Sequence, residues 1–173
     1  LAAIVGDPAC AREPDLAKRV NEEGSLSLLD RCEGADVERL VFASTCSNYG
    51  KMADPMSYVD EETELGPVSL YAETKVGVEN ALLGETDWGF SATVLRFSTL
   101  FGLSPRMRFD LTVNEFTMEL ATEGRLVVFG EQFWRPYVHV RDAAVAVAVV
   151  LDSETGQVGG EVYNVGDSQQ NYQ

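Results

Sequence analysis

The stretch Val41-Phe-Ala-Ser-Thr-Cys-Ser-Asn-Tyr-Gly50 decides the fold, because a buried-strand pattern ends there in hydroxyl side chains and a glycine turn. The run over residues 38–44 (ERLVFAS) is rich in β-branched and aromatic residues, which predicts a short buried strand. In open parallel sheets, ligands bind beyond the carboxyl ends of the strands, and Ser44, Thr45 and Ser47 lie at such an end. Hydroxyl residues after a strand are also ordinary turn formers, so this stretch alone leaves both interpretations open.

Helix and strand patterns alternate on both sides of this stretch. Before it, residues 12–32 predict a helix, with Pro14 near its first turn and Gly24 as an interruption. After it, helical patterns cover residues 69–84, 110–123 and 141–152, and strand patterns cover residues 91–97, 125–130, 137–140 and 161–165. This alternation is typical of βαβ units and predicts an α/β fold with a mainly parallel sheet.

Composition and charge limit the class of protein. The chain has 173 residues, of which 45% are hydrophobic, and this is enough for one domain with a sizeable core. Asp and Glu number 28 against 13 Lys and Arg, which gives a formal net charge of −15. Such a charge repels phosphates, and we expect no nucleic-acid or membrane partner. The longest apolar run, residues 143–151, is too short to span a bilayer, and no basic leader is seen, so we expect a cytoplasmic protein.

Cysteine and histidine usage argues against a disulfide framework and against a metal site. Cys10, Cys32 and Cys46 are odd in number and widely spaced, and they form no C-x-x-C pair. The chain has one histidine, His139, which cannot anchor a multi-histidine centre. We therefore expect no bound metal.

The segment Tyr71-Ala-Glu-Thr-Lys75 places a phenol and an ammonium four residues apart, hence on one face of the predicted helix. A neighbouring ammonium favours the phenolate, and lowering a tyrosine pKa from about 10 to about 7 requires roughly 4 kcal/mol. A tyrosine of that kind can act as a general acid or base near neutral pH. The pair alone is equally compatible with a solvated helix face at whose edge Tyr71 packs.

Further segments extend the pattern toward both ends of the chain. They are Leu1-Ala-Ala3, Arg19-Val-Asn-Glu-Glu-Gly-Ser25, Leu95-Arg-Phe97 through Gly102, Arg135-Pro-Tyr-Val-His-Val-Arg-Asp142 and Val162-Tyr-Asn-Val-Gly166. Together with the hydroxyl strand and the Tyr-x-x-x-Lys helix, they resemble the extended short-chain dehydrogenase/reductase family, in particular its NAD-dependent nucleotide-sugar epimerases and dehydratases.

The resemblance implies a partial Rossmann-like, doubly wound parallel sheet with part of a small substrate-binding region. Residues 1–100 would form the C-terminal half of the NAD-binding domain and carry the catalytic residues. Residues 101–173 would form a partial substrate-binding region interleaved with the last Rossmann elements. The resemblance also implies a homodimer formed through the helices near Arg12–Cys32 and Ser69–Gly84.

The same resemblance implies catalytic roles for Thr45, Tyr71 and Lys75. Thr45 would hydrogen-bond the sugar hydroxyl that is oxidised, and Tyr71 would take its proton while the sugar carbon passes a hydride to the nicotinamide. Lys75 would hold the nicotinamide ribose and lower the pKa of Tyr71. The leading activity is epimerisation of a nucleotide-sugar, with NAD as the cofactor and NADP not excluded.

Two other functions stay open. A keto-sugar or carbonyl reductase or dehydrogenase would use the same three residues, and a non-catalytic dinucleotide sensor could share the fold. The 4,6-dehydratases of the family typically follow the catalytic threonine with Asp-Glu, whereas Cys46 and Ser47 follow Thr45 here. This difference disfavours a dehydratase.

The resemblance also implies a set of binding residues. Along the cofactor it places Leu1, Ala2, Ala3, Asn21 and Phe97. On the substrate side it places Thr45, Thr99 and Arg135, where Thr99 stands in place of the asparagine of many relatives. Arg135 would grip the substrate diphosphate, a role that suits a planar bidentate donor, and its alternative is a surface ion pair.

One expected motif is missing. None of the fifteen glycines forms the G-x-G-x-x-G pattern that cradles a dinucleotide phosphate. The family pattern therefore begins at about the fourth strand, and we interpret the chain as a fragment that by itself binds dinucleotide poorly.

Overall fold

The structure, a computed structural model, describes residues 3–51, 58–84, 88–130 and 135–166. Its α-helices are α1 Asp7–Arg12, α2 Pro14–Lys18, α3 Gly24–Glu33, α4 Leu70–Leu83, α5 Thr112–Glu123, α6 Val140–Asp152 and α7 Thr155–Val158. Its strands are β1 Arg39–Thr45, β2 Ser91–Phe97, β3 Thr99–Phe101, β4 Tyr137–His139 and β5 Val162–Val165. A π-helical turn covers Arg19–Glu23 and a 3-10 helix covers Cys46–Tyr49.

The strands form two parallel sheets, which confirms the predicted α/β class. The larger sheet has the order β1-β2-β5, and the smaller one pairs β3 with β4. In the larger sheet, Thr45 lies opposite Phe97, and Phe97 lies opposite Val165. The carboxyl ends of three strands therefore meet at one edge, which we call the catalytic edge.

Helices cover both faces of the larger sheet, as in a doubly wound fold. On one face, Ala92 and Val94 pack with α3 and α4 residues, including Leu29, Val78 and Leu82. On the other face, Leu95 and Phe97 pack with α6 and α7 residues, including Ala143, Val150 and Val158. The alternation along β2 follows from the two-residue period of a strand.

The predicted helix over residues 12–32 is present, but its middle is wound more loosely. Helical backbone runs from Pro14 to Glu33, and Gly24 N–H bonds the carbonyl of Arg19, five residues earlier. This turn packs against α4 at Gly77, where a Cβ would lie 2.7 Å from Glu22 Oε1. Single π turns of this type often occur at functional sites.

Several other predicted elements are confirmed, and one is wrong. The strand over residues 91–97 and the helix over residues 69–84 are present as β2 and α4, with Ser69 Oγ accepting from Ala72 N at 3.4 Å. The strand predicted over residues 125–130 does not form, and Val127, Val128 and Phe129 are exposed there. In the described part of the chain, no strand pairs with residues 125–130. An apolar, β-branched sequence is therefore not sufficient to form a strand here.

None of the described helices is long and apolar enough to cross a membrane. Within the ranges that the structure describes, no three His, Cys, Asp or Glu side chains group so as to hold a metal ion. The predicted domain boundary near residue 100 and the predicted homodimer stay predictions.

Candidate active site at the carboxyl edge of the sheet

The two residues of the Tyr-x-x-x-Lys pair lie on one face of α4, as predicted. Lys75 Nζ is 5.9 Å from the centroid of the Tyr71 ring and 4.7 Å from that of Phe42. It donates a hydrogen bond to the carbonyl of Ala43 at 2.8 Å. Since Ala43 lies two residues before Thr45 in β1, this bond ties the helix to the strand end that carries the hydroxyl. The structure therefore brings the three predicted catalytic residues to the catalytic edge.

Thr45 forms the junction between β1 and the 3-10 helix. Its Oγ1 accepts a hydrogen bond from Ser47 N at 3.2 Å, so it caps the turn in the ordinary way of a threonine. A hydroxyl can still donate its own proton while it accepts one hydrogen bond. Thr45 therefore forms a turn and also lies at the carboxyl end of the sheet, where ligands bind in open parallel sheets.

The charge state of Tyr71 differs from the sequence expectation. Burial raises the pKa of Tyr71 to about 12, and Cys10, Cys46 and Asp7 raise it as well, whereas Arg108 lowers it. The net direction is thus opposite to the one that a neighbouring ammonium alone would give, and the lowering by Lys75 that the resemblance implies stays a prediction. The physical reason is that loss of water around the phenolate outweighs the nearby charges, and the Lys75 ammonium is hydrogen-bonded to the Ala43 carbonyl.

Lys75 is itself buried, with 8% of its surface exposed. Burial lowers the pKa of Lys75, and the carboxylate of Glu79 raises it. An ammonium has three donors, and one of them reaches Ala43.

Asn21 has a different contact from the one expected. Its side chain is 1% exposed, Oδ1 accepts from Ile4 N at 2.8 Å, and Nδ2 donates to Ile4 O at 2.9 Å. Both ends of the amide are engaged with the backbone of Ile4, so Asn21 holds the Ala3–Ile4 segment in place. The cofactor contact that the resemblance implies for Asn21 stays a prediction. The expectations for Leu1 and Ala2 lie outside the described residues.

The predicted binding residues on the later strands lie at or near the same edge. Phe97 is buried at the end of β2, opposite Thr45, and Thr99 begins β3 opposite Tyr137. Arg135 is exposed, and its positive charge acts on Cys46, the residue after Thr45. Burial raises the pKa of Cys46 to about 11, and Arg135 lowers it. Arg135 is thus close enough to the catalytic edge to influence it.

His139 has a structural role. Its Nδ1 accepts from Arg141 N at 3.2 Å, which caps α6, and its ring contacts the edge of Phe101 at a centroid distance of 5.2 Å. A Cβ on Gly102 would lie 2.5 Å from His139 Nε2, and Gly102 has φ +117°. The imidazole therefore fixes the start of the loop that follows β3.

Sequence reasoning missed a buried polar cluster behind Thr45. Its members are Ser44, Asn48, Tyr49, Glu79 and Arg96, and we call it the Glu79 cluster. One signal was available: Glu79 follows Lys75 by four residues on a helix that faces the sheet, and a buried carboxylate needs a partner. Even-numbered residues of β2 face α4, which places Arg96 opposite that helix.

Comparisons with known proteins identify the family. A family model described as the NAD dependent epimerase/dehydratase family matches residues 1–166. An uncharacterised UDP-glucose epimerase, YtcB, of Bacillus subtilis (strain 168) is 30% identical over 144 residues, covering 82% of this chain and 43% of that protein. The UDP-glucuronate 4-epimerase of Thermodesulfobacterium geofontis is 31% identical over 170 residues, covering 96% of this chain and 50% of that protein.

A solved structure has a similar fold. The UDP-glucose 4-epimerase of Thermotoga maritima with UDP-glucose superimposes with a TM-score of 0.82 at 26% identity, covering 96% of this chain and 53% of that one. The chain therefore spans about half the length of the relatives it matches.

Proposed function

Because this chain belongs to the NAD-dependent epimerase/dehydratase family, we propose that it supplies the catalytic residues of a nucleotide-sugar epimerase. One observation carries the proposal: Lys75, on the helix face of Tyr71, is bonded through Nζ to the strand that ends in Thr45. The relatives named as UDP-sugar epimerases support the substrate class.

The residues present fit the nicotinamide end of the cofactor. Lys75 offers two further ammonium donors, and Phe97 offers an apolar surface beside Thr45. The Ala3–Ile4 segment, held by Asn21, would lie along the cofactor. When bound, NAD accepts a hydride from a sugar carbon and returns it.

The chain's own residues would move and hold the proton. Thr45 would hold the reacting sugar hydroxyl, and Tyr71 would take its proton at the phenolic oxygen. With a pKa of about 12, Tyr71 is protonated at neutral pH, and a pKa near 7 would need about 7 kcal/mol of added phenolate stabilisation. The positive charges of Lys75 and Arg108 are already near Tyr71 when its pKa is about 12. Ligand binding would therefore have to add further positive charge beside Tyr71.

Substrate binding would depend on local cations. The net charge of −15 repels an anionic nucleotide-sugar, so the diphosphate needs a positive group near the edge. Arg135 would be that group, and the effect of its charge on Cys46, next to Thr45, supports this assignment. Thr99, at the start of β3, would contact the sugar.

The test uses the full-length protein that contains these residues. UDP-glucose and UDP-glucuronate are incubated with it, and sugar stereochemistry is followed by NMR while nicotinamide absorbance is recorded. Epimerisation without net absorbance change is the expected result, whereas steady consumption of the nicotinamide would favour the reductase alternative. Tyr71→Phe should abolish turnover and leave NAD affinity nearly unchanged; retained turnover in that variant would overturn the assignment of Tyr71.

A further inference from the structure

The Glu79 cluster lies directly behind the proposed catalytic residues and contains a nearly fully buried ion pair. Glu79 is 1% exposed and Arg96 is 5% exposed. Arg96 Nη2 donates to Glu79 Oε2 at 2.8 Å and Arg96 Nε donates to the same oxygen at 3.1 Å. If one partner were removed, the other would be a buried charge without compensation, which is strongly destabilising. The burial of each residue therefore requires the other.

Glu79 also binds both sides of the turn that carries Thr45. Its Oε1 accepts from Ser44 Oγ and, at 2.8 Å, from Asn48 Nδ2. Ser44 precedes Thr45 in the strand, and Asn48 belongs to the 3-10 helix that Thr45 caps. One carboxylate on α4 therefore sets the position of the Thr45 turn relative to the helix of Tyr71 and Lys75.

The cluster continues across the sheet. Arg96 Nη1 donates to the Tyr49 hydroxyl at 2.9 Å, and that hydroxyl donates to Asn164 Oδ1 at 2.7 Å. Tyr49 ends the 3-10 helix, and Asn164 lies in β5. The turn after β1 is thus held from α4, β2 and β5 at once.

The carboxylate of Glu79 also acts on the charge of Lys75, one helical turn earlier on the same face. Burial lowers the pKa of Lys75, and Glu79 opposes that effect. The other charged or titratable groups around the pair are Arg96 bonded to Glu79, Tyr71 on the same helix, and Cys10, Cys46, Asp7 and Arg108 facing Tyr71.

We propose that Glu79 is a positioning residue, whose carboxylate fixes the turn that carries Thr45 and holds the positive charge of Lys75 at the catalytic edge. The link to turnover rests on the proposed function, whereas the contacts with Ser44 and Asn48 and the electrostatic effect on Lys75 belong to the chain itself. A residue that serves only the core would affect stability and leave the titration of Lys75 unchanged.

The first experiment measures that titration without substrate. The full-length protein is labelled with carbon-13 lysine, and the NMR signal of Lys75 is identified by its loss in Lys75→Arg. Glu79→Gln should move the Lys75 titration to lower pH, because a carboxylate is lost and the Arg96 charge is left unbalanced. Glu79→Asp keeps the charge and should restore most of the wild-type titration.

A matched control lies on the same helix. Glu73→Gln removes an exposed carboxylate from α4 and should leave Lys75 unchanged. An unshifted Lys75 in folded Glu79→Gln would overturn the proposed effect on charge, and so would an equal shift in the Glu73 control.

The second experiment keeps every charge and does not depend on whether Glu79→Gln folds. Ser44→Ala removes one hydrogen bond to Glu79 and should lower kcat about tenfold, with KM and the Lys75 titration near wild type. Wild-type kcat in Ser44→Ala would overturn the proposed effect on the turn. If the wild-type protein shows no epimerase activity, the proposed function fails, and the Lys75 titration still decides the role of Glu79.

Discussion

Replacing Asn21 with alanine is expected to destabilise the chain by about 2–3 kcal/mol. The substitution removes the hydrogen bonds at 2.8 Å and 2.9 Å to the backbone of Ile4. Each is worth about 1 kcal/mol net, and the partly buried Ile4 groups left without a partner add roughly another 1 kcal/mol. The higher helix propensity of alanine returns about 0.5 kcal/mol.

The assay is urea unfolding of the 173-residue chain, combined with hydrogen exchange at the Ile4 amide. With a slope of about 2 kcal/mol per molar urea, the midpoint should fall by roughly 1 M, and the Ile4 amide should exchange faster. Asn80→Ala, at an exposed position on α4, is the matched control. A midpoint equal to that of the control, with unchanged exchange at Ile4, would refute the positioning role of Asn21.

Three further predictions concern Tyr71, Gly102 and the cofactor. Since burial raises the pKa of Tyr71 to about 12, above its usual value near 10, the stability linked to the protonated phenol is complete below about pH 10 and is lost as the pH rises toward 12. When the pH is raised from about 9 to about 11, the Tm of Tyr71→Phe, measured by circular dichroism, should therefore fall less than the Tm of the wild type. Equal decreases in Tm would contradict the raised pKa. Gly102→Ala should lower Tm more than Gly124→Ala, because a Cβ at Gly102 meets His139 Nε2 at 2.5 Å whereas one at Gly124 meets nothing within 4 Å, and equal decreases would argue against the collision. Calorimetric titration of NAD into the 173-residue chain should show no micromolar binding, because the sequence has no glycine-rich phosphate motif; micromolar affinity would disprove this.

The predictable elements are those with a clear hydrophobic pattern and with residues that mark where the element starts or ends. The strand over residues 91–97 is continuous and apolar, and the helix after Ser69 has a capping side chain at its start. Both form where the pattern puts them. The pairing of β3 with β4 involves three residues on each side, and such short strands exist only because the fold brings them together.

The strand predicted over residues 125–130 shows the opposite case. Its composition favours a strand, but a strand also needs a neighbour, and the described structure gives it none. Local propensity is therefore insufficient where tertiary pairing decides.

The candidate site also has features that the sequence could predict and features that it could not. Helical spacing placed Tyr71 and Lys75 on one face, and the strand pattern placed Thr45 at a carboxyl strand end. The position of Thr45 opposite Phe97 follows only from the sheet register. The burial that raises the pKa of Tyr71 was not visible in the sequence, because it depends on the packing of α1, α4 and the loop after β3. The partner of Asn21 was equally hidden, since Ile4 lies 17 residues away in sequence.

The π turn over Arg19–Glu23 keeps the two halves of a long helix in rotational phase. In a regular α-helix, the twelve residue steps from Ala17 to Leu29 would turn the second side chain about 120° away from the first. Both side chains are nevertheless buried, as is Asn21 between them, because the wider turn absorbs roughly one residue of rotation. The helix thus carries the geometric signature of a one-residue insertion. A deletion within this turn would leave a regular helix, yet it would rotate one half against the other and separate Asn21 from Ile4 or Leu29 from the core.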